Sequence, residues 1–399
     1  MRNIRFPIIF ITLFFLIANF TWTWSGLYRL TWTAGDCVNP AAAIDSTGTI
    51  HLVYQMNHGG STDYEIYYKK STDKGGTWSP PLRLTCNSGE SLNPAVEVDP
   101  SNRIHISWVD NTYGNDEILY KRSGDGGTSF SSPLRMTWTS TATKCPVLAV
   151  NSSGTIYLFW TDKSSGRFEI YFKSSSDGGV SWSANNRVTW FPYTNGSPDV
   201  AVDANDEIHL FYGAYTPPYL GLDIYYKKSS NSGSSWTPPV QMTYAAWEFE
   251  QNTPHASAVY SNDVHMTWRK YDFNLFNDNR SSVFYKFSTD GGANWAGGQR
   301  LTWSGYNLYE PLIGRPDIAI DSIGNPHIIW SNQSSGNHEI YYDFSTDGGS
   351  TWKAQTRLTW NPGDSTFPII VIDNTGSIHI FWADDTTGTS DIYYKNCDL

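Results

Sequence analysis

Positive charge is scarce in this chain. Its 399 residues include 27 lysines and arginines against 38 aspartates and glutamates, which gives a formal net charge of −11. The basic residues are scattered, with no long basic run. Proteins that bind nucleic acid or anionic membrane surfaces by electrostatic attraction present clusters of positive charge. The composition therefore argues against both kinds of partner.

Long apolar segments are also rare. One stands near the N terminus, where Arg2 and Arg5 precede an apolar stretch from Phe6 to Ala18. This order is typical of a secretory signal, and the stretch is short for a membrane-spanning helix. We predict a signal peptide over residues 1–20, with an uncleaved N-terminal anchor as the alternative. The protein is then expected to be secreted or held at the cell surface, and to touch a membrane only through such an anchor.

Cysteine is too infrequent for a dense disulfide framework. No CxxC pair or Cys/His cluster has the spacing of a zinc site, so we expect neither a metal nor a cofactor. Cys37 and Cys86 both fall near the first repeat and are the favoured disulfide pair, with free buried thiols as the alternative. The four cysteines are Cys37, Cys86, Cys145 and Cys397.

Glycine and aromatic residues, in contrast, are plentiful, with 33 glycines, 18 tryptophans and 25 tyrosines. Many belong to one eight-residue motif, Ser-x-Asp/Asn-x-Gly-x-x-Trp/Phe. Its glycine permits positive φ in a tight turn, its acidic residue can accept backbone N–H bonds, and its aromatic residue can pack. The motif occurs six times, at Ser71–Trp78, Ser123–Phe130, Ser175–Trp182, Ser229–Trp236, Ser288–Trp295 and Ser345–Trp352.

This motif resembles the Asp-box, or bacterial neuraminidase repeat, of the sialidase-like β-propellers. The resemblance covers nearly all of the chain after the leader. In that family the box is the turn between the third and fourth strands of a propeller blade. The resemblance implies a propeller fold. Because Asp-boxes are structural and occur in hydrolases, lectins and assembly factors alike, it does not by itself imply a chemistry.

Each motif lies within a longer repeat that opens with a proline and contains four short runs of strand-forming residues. Successive opening prolines are 54, 52, 52, 56, 62 and 52 residues apart. This period is typical of a propeller blade, which needs neighbours on both sides to bury its faces. The opening prolines are Pro40, Pro94, Pro146, Pro198, Pro254, Pro316 and Pro368.

The last repeat has a third strand but no fourth strand and no seventh Asp-box. The pattern of a fourth strand stands instead at Leu27–Trp32, ahead of the first opening proline. We therefore predict an all-β fold, a seven-bladed β-propeller of four-stranded antiparallel blades that forms one domain over residues 21–399. The N-terminal strand is expected to complete the last blade and so remove an open sheet edge.

Six of the nine histidines occupy one repeated position on the predicted second strands. A histidine ring can bind a metal, but a position between stacked blades favours packing with satisfied ring nitrogens. We predict the packing role. The six are His51, His105, His209, His265, His327 and His379.

Ligand-binding residues are expected where loops on the face opposite the Asp-boxes depart from the repeat. Such departures cluster around blade 5, at residues 245–251, 269–280 and 305–315, with a fourth at 214–220 in blade 4. Aromatic residues mixed with carboxylates, amides and arginines suit sugar binding, and drifted loops without a function are the alternative. The candidate ligand-binding residues are Trp247, Arg269, Tyr271, Arg280, Tyr309 and Arg315.

Resemblance to sialidases implies a specific set of catalytic residues. Those enzymes hold the substrate carboxylate with three arginines and use an Asp acid/base and a Tyr nucleophile assisted by Glu. Their first arginine lies in an Arg-Ile-Pro motif that this sequence lacks, and they have six blades. If the protein is a glycoside hydrolase, its candidate catalytic residues are Glu248, Glu250, Asp272, Tyr309 and Glu310.

The sequence therefore favours an exported, monomeric recognition module whose partner is a glycan or glycoconjugate. A glycoside hydrolase, sialidase-like or otherwise, is the alternative, and a scaffold for protein partners is the third hypothesis. The missing arginine motif favours binding over catalysis.

Overall fold

A computed structural model describes residues 23–58, 63–190, 195–216, 221–244, 250–272, 280–302, 315–333 and 336–398, with the backbone alone at 216, 250–256, 272 and 280. In these residues all regular structure is β-strand. The strands form seven antiparallel blades, which confirms the predicted seven-bladed β-propeller. No described helix is long and apolar enough to cross a bilayer.

The strands fall into four sets according to their order within a blade. The first strands are β3 (Cys37–Ile44), β7 (Ser91–Val98), β11 (Thr143–Val150), β15 (Asn195–Val202), β19 (Glu250–Tyr260), β23 (Asp317–Ile320) and β27 (Ser365–Ile372). The second strands are β4 (Ile50–Asn57), β8 (Ile104–Asp110), β12 (Ile156–Asp162), β16 (Ile208–Thr216), β20 (Asp263–Asp272), β24 (Pro326–Asn332) and β28 (Ile378–Asp384).

The outer half of each blade has longer third strands and short fourth strands. The third strands are β5 (Tyr64–Ser71), β9 (Glu117–Ser123), β13 (Glu169–Ser175), β17 (Gly221–Ser229), β21 (Arg280–Ser288), β25 (Glu339–Phe344) and β29 (Asp391–Asp398). The fourth strands are β6 (Leu82–Arg83), β10 (Leu134–Arg135), β14 (Asn186–Arg187), β18 (Val240–Gln241), β22 (Gln299–Arg300), β26 (Thr356–Arg357) and β2 (Tyr28–Arg29); a further N-terminal strand is β1 (Thr23–Trp24).

The first strands surround the axis of the ring. Each first strand lies beside the first strand of the next blade, and β27 of blade 7 lies beside β3 of blade 1. The second strand of each blade packs against the first strand of the next blade. Second strands such as β8, β12 and β28 are buried along their whole length, because both of their faces are covered. This double burial explains their continuous apolar runs.

The N terminus closes the ring as predicted. Tyr28 and Arg29 of β2 pair antiparallel with Tyr394 and Tyr393 of β29, so β2 is the fourth strand of blade 7. The shorter strand β1 also pairs with β29. Segments from the two ends of the chain therefore share one blade, which leaves no open edge at that point of the sheet.

Aromatic contacts join each blade to the next. The last residue of each Asp-box packs edge-on against an aromatic residue of the preceding blade's third strand, with ring centroids 4.8 to 6.0 Å apart. Trp352 against Tyr285 is the closest of these pairs, at 4.8 Å. A Cβ at Gly349 would lie 2.0 Å from the Tyr285 hydroxyl, so this box position requires glycine. Such edge-to-face pairs add stability beyond the area they bury.

Blade 7 has no Asp-box among its described residues, and Trp24 of β1 supplies the corresponding aromatic contact. The Trp24 ring meets Tyr342 of blade 6 edge-on, with centroids 5.1 Å apart and planes at 80°. This is the same type of contact that the box residues make with the other blades. The N-terminal segment therefore supplies both a fourth strand and the seventh inter-blade aromatic contact.

The histidines have the packing role that was predicted. In His51, for example, Nδ1 lies 2.7 Å from the Tyr68 hydroxyl on the neighbouring third strand. Its Nε2 lies 3.3 Å from a carboxylate oxygen of Asp45, which caps a turn. The same histidine-to-tyrosine bond occurs at the other five repeat positions, at 2.6 to 2.8 Å. The predicted satisfaction of the ring nitrogens is met only in part, because Nε2 of four of these histidines is buried without a hydrogen-bond partner among the described residues: His105, His209, His265 and His379.

The predicted disulfide is wrong, because all four cysteines are free thiols. Cys37 is fully buried at the start of β3, where its Sγ lies 3.4 Å from the Thr33 hydroxyl. Cys86 is exposed beyond the fourth strand of blade 1. The first and fourth strands are the inner and outer edges of a blade, so proximity in the repeat did not bring the two thiols together.

Trp24 provides a direct test of ring closure. We expect Trp24→Ala to lower the free energy of unfolding by roughly 2–3 kcal/mol, because it removes a half-buried inter-blade ring. Trp32→Ala is the matched control: this ring is 69% exposed, and its loss should cost less than about 0.5 kcal/mol. Urea denaturation of both variants measures the difference. Equal effects would show that Trp24 does not hold blades 6 and 7 together.

Candidate functional site

A repeated irregularity shapes the mouth of the central channel. In five of the seven first strands the pairing with the second strand shifts at the opening proline, and in blade 5 it shifts directly after Pro254. The residue before this proline has positive φ in five blades, which is uncommon for a residue other than glycine. These five are Asn39 (50°), Asn93 (51°), Cys145 (53°), Ser197 (48°) and Phe367 (51°).

The bulges turn the residues before the prolines toward the axis, where they line a cavity of about 380 Å³. In blade 6 the corresponding residue is Arg315, directly before Pro316, and it lines the same cavity. The repeat thus places a ring of chemically different side chains around one opening. The proline rings fix the backbone φ angle at the inner wall of this opening, so the backbone there has little freedom to change conformation.

Two arginines face this cavity from neighbouring blades. Arg315 precedes the first strand of blade 6, and Arg269 lies near the end of β20 in blade 5. Burial lowers the pKa of Arg269, and the positive charge of Arg315 lowers it further, whereas Tyr271 raises it. The two guanidinium groups therefore interact electrostatically. An anionic group between them would relieve their repulsion and could be held by bidentate bonds.

Amides occupy another side of the mouth. Asn39 donates from Nδ2 to Gln55 Oε1 at 3.1 Å and to Asn93 Oδ1 at 3.2 Å. Gln55 Oε1 also accepts a bond of 2.9 Å from the backbone N–H of Asn93. This network fixes the side chains of blades 1 and 2 in place. Phe367, which is 39% exposed, adds an apolar surface from blade 7.

A groove of about 230 Å³ adjoins the mouth through Cys145 and Ser197, which line both. Its apolar walls include Phe168, Tyr215 and Leu222 of blades 3 and 4. Blade 4 opens this groove with a pair of facing glycines, Gly196 on β15 and Gly213 on β16. A Cβ at Gly213 would lie 3.3 Å from Leu222, so a larger residue would narrow the groove.

Three carboxyl groups lie deeper in the channel. Glu97, Asp199 and Asp317 come from the first strands of blades 2, 4 and 6, and they line a second cavity of about 360 Å³. Asp317 Oδ2 accepts a bond of 2.8 Å from the backbone N–H of Ile370 on the next blade. The Oδ2 atom of Asp199 is buried without a hydrogen-bond partner among the described residues.

Burial raises the pKa of each of these channel carboxyls. It raises the pKa of Glu97 to about 7 and that of Asp199 to about 6. The pKa of Asp317 is raised to about 7, mainly by burial and further by the charge of Asp199. Near neutral pH the channel can therefore hold protonated and ionised carboxyls at the same time, as sites of acid–base chemistry require.

Cys145 lines the mouth but is not a ready nucleophile. Burial raises the pKa of its thiol, and the nearby charge of Arg315 only partly opposes this effect. The thiol form is the less nucleophilic one. In this arrangement Cys145 contributes shape to the mouth rather than reactivity.

The structure describes the predicted site residues to different extents. Arg269 and Arg315 meet at the channel mouth, and Tyr271, only 7% exposed, lies close enough to Arg269 to affect its pKa. Backbone pairing places Glu250 opposite Asp272 and Asp272 opposite Arg280 at one end of blade 5. The roles of all these residues stay predictions. The side chains of Glu250, Asp272 and Arg280, and all of Trp247, Glu248, Tyr309 and Glu310, lie outside the described residues.

Sequence reasoning missed the amides of the mouth and the channel carboxyls. A signal was present, since the residue before each opening proline varies strongly while the proline is constant. Asp199 and Asp317 follow their prolines directly, at a position that four of the other five blades fill with apolar residues such as Ala41 or Val147. A charged residue directly after the opening proline is therefore a departure from the repeat that lies inside the channel.

No protein-family model matches this sequence, and no curated protein sequence does. The fold is similar to that of the polysaccharide lyase Uly1, at a TM-score of 0.63 and 11% identity over 91% of this chain and 90% of that one. It is also similar to the α-L-arabinofuranosidase Arb93A of Fusarium graminearum, with TM-score 0.57, 14% identity and coverages of 77% and 93%.

A third similar structure is the NanB sialidase of Streptococcus pneumoniae, with a TM-score of 0.52 and 13% identity over 93% of this chain and 70% of that one. At such identities the likeness concerns the fold alone.

The channel carboxyls predict a pH dependence of stability. A carboxyl whose pKa rises on folding binds its proton more tightly in the folded state, so stability is lost as pH rises from about 4, its unfolded value, through its folded value. The Asp317→Asn variant has no carboxyl to ionise, so it should not show this loss of stability as pH rises. Its amide oxygen can still accept the hydrogen bond from the backbone N–H of Ile370. We expect the variant to melt at a higher temperature than the wild type at pH 8, with a much smaller difference at pH 5. A difference that does not change with pH would contradict the raised pKa.

Proposed function

We propose that the protein binds carbohydrate at the mouth of its central channel, and that its ligand carries an anionic group. The observation that carries this proposal is the pair Arg269 and Arg315, which face one cavity of about 380 Å³ from adjacent blades. Their charges oppose each other across this cavity, so a carboxylate or sulfate between them would be stabilised.

The remaining walls of the cavity suit a saccharide. The Asn39 and Asn93 amides offer donors and acceptors that sugar hydroxyls can use, and the buried Gln55 holds both residues in place. Phe367 and the apolar groove of blades 3 and 4 offer surfaces for the C–H faces of sugar rings. Concave sites with apolar walls and a few fixed polar groups are typical of small-ligand sites. The three similar propellers are named as a polysaccharide lyase, an arabinofuranosidase and a sialidase, which agrees with a carbohydrate ligand.

The arginines provide the first test. We expect Arg269→Gln and Arg315→Gln each to weaken binding of an acidic oligosaccharide, such as trigalacturonate or sialyllactose, by about tenfold or more, because each removes a charge-assisted bond. A glycan array with acidic and neutral probes identifies the strongest ligand, and calorimetry measures its affinity for each variant.

Arg167→Gln is the matched control, because Arg167 is also an exposed arginine in a loop on the same face but does not line the cavity. It should leave the affinity unchanged. If the two mouth variants bind acidic probes as tightly as the wild type, the ligand does not use the channel mouth. If neutral and acidic probes bind equally well, the anionic group has no part in recognition.

A second function, cleavage of the bound saccharide, is favoured by the raised pKa values of Asp199 and Asp317 below the arginines. In such a mechanism one of these carboxyls would donate a proton and an ionised one would accept a proton. We expect Asp199→Asn and Asp317→Asn to abolish any cleavage of the ligand while its affinity stays within about threefold of the wild type. Product analysis by mass spectrometry tests this. Full turnover in both variants would exclude the channel carboxyls as the catalytic groups.

A further inference from the structure

A set of exposed aromatic rings follows the outer strands of the propeller. Each ring belongs to the residue that ends the repeated Arg-Leu-Thr-Trp segment, three residues after the last residue of a fourth strand. Six of the seven blades are described at this position, and five of them have an aromatic residue there. We call these five residues the aromatic rim: Trp32 (69% exposed), Trp138 (65%), Trp190 (68%), Tyr244 (75%) and Trp360 (66%).

Cations stack against the tryptophans of the rim. The guanidinium carbon of the arginine three residues earlier lies 5.6 to 5.9 Å from the ring centroid in four blades. In blade 2 the Trp138 ring also lies 5.5 Å from Lys173 Nζ of the next blade. Cation–π contacts at these distances hold a ring in a preferred orientation.

The arginines beneath the rings are themselves fixed. Arg135 donates from Nε to the Thr137 carbonyl oxygen at 2.8 Å and from Nη2 to Glu117 Oε1 at 2.9 Å. The same two bonds recur in blades 3, 6 and 7 around Arg187, Arg357 and Arg29. The rim therefore consists of rigid platforms on ordered side chains, and a ligand would have little conformational entropy to remove.

The exposed aromatic ring is not needed to hold the arginine in place. Blade 1 has Cys86 at the rim position, yet Arg83 still bonds to the Thr85 carbonyl oxygen and to Glu65, both at 2.7 Å. Blade 4 has Gln241 in place of the arginine and still presents Tyr244, 75% exposed. The arginine occurs without the ring and the ring without the arginine. The exposed ring therefore has a role of its own.

We propose that the aromatic rim is a second binding surface, separate from the channel mouth, and that it binds neutral, hydroxyl-rich polysaccharide chains. A sugar ring can stack its C–H face on each platform, while the partly exposed guanidinium group beside it meets the hydroxyls. The fullest subsite is in blade 2, where Tyr113, 52% exposed, covers Arg135 at 4.2 Å opposite Trp138.

The arrangement of the rim fits a polymer better than a membrane or a protein. The rings stand one to a blade, each beside charged and polar groups, rather than as one contiguous apolar patch. The protein's net charge of −11 also opposes attraction to anionic lipid. A polysaccharide repeats its own units and can engage several weak subsites in turn, so that avidity raises the overall affinity.

Native affinity electrophoresis of the full chain tests the rim, in gels that contain laminarin, xyloglucan or galactomannan. We expect at least one of these neutral polymers to retard the wild-type protein. The single variant Trp138→Ala should weaken this binding by about fivefold, and the combined variant Trp32→Ala, Trp138→Ala, Trp190→Ala and Trp360→Ala by more than about tenfold. Because these rings are about two-thirds exposed, the variants should fold, which thermal melting verifies.

Two controls separate the rim from other surfaces. Ile323→Ala removes another exposed apolar side chain, 75% exposed in the Asp321 turn, and should not change the retardation. Arg315→Gln should not change it either, because the channel mouth takes the anionic ligand. Absence of retardation by all three polymers, or equal retardation of the combined variant, would overturn the proposal. Flotation with phosphatidylcholine vesicles that the combined variant loses would also overturn it, in favour of a membrane surface.

Discussion

The propeller depends on one repeated contact between blades. An aromatic ring at the end of each Asp-box packs edge-on against the third strand of the blade before it, and glycine in the box allows the backbone to approach that ring closely. A single blade cannot cover both of its faces, so its stability requires these contacts. In blade 7 the contact comes from Trp24 instead of a box, which makes closure of the ring depend on a residue outside the repeat.

Packing requirements leave two regions of each blade free to vary. Residues beside the opening proline face the axis and take no part in the repeated aromatic contact between blades, and here the chain presents arginines, amides and carboxyls. The position after the fourth strand faces solvent, and here it presents aromatic rings. Both proposed binding surfaces thus lie where the fold tolerates chemical diversity, while the histidines and box residues are committed to packing.

The sequence allowed the fold to be predicted more fully than the site. The spacing of the prolines and boxes predicted seven blades, and the strand pattern at Leu27–Trp32 predicted how they close. Trp24 was not predicted, because its contact follows no repeated motif. The channel mouth was also missed: spacing alone does not reveal that a bulge turns Asn39 or Ser197 toward the axis. The departures from the repeat did lead to Arg269 and Arg315, which line the channel mouth, and their role in binding stays a prediction.

The location of a bound ligand would most directly test whether the channel mouth binds an anionic saccharide. A crystal structure of the full-length protein with an acidic oligosaccharide such as trigalacturonate would show it. We expect a carboxylate of the ligand within hydrogen-bond distance of Arg269 and Arg315, with sugar hydroxyls near Asn39 and Asn93. An acidic ligand bound only at the loops of blade 5 or on the outer rings, with the channel mouth empty, would contradict it.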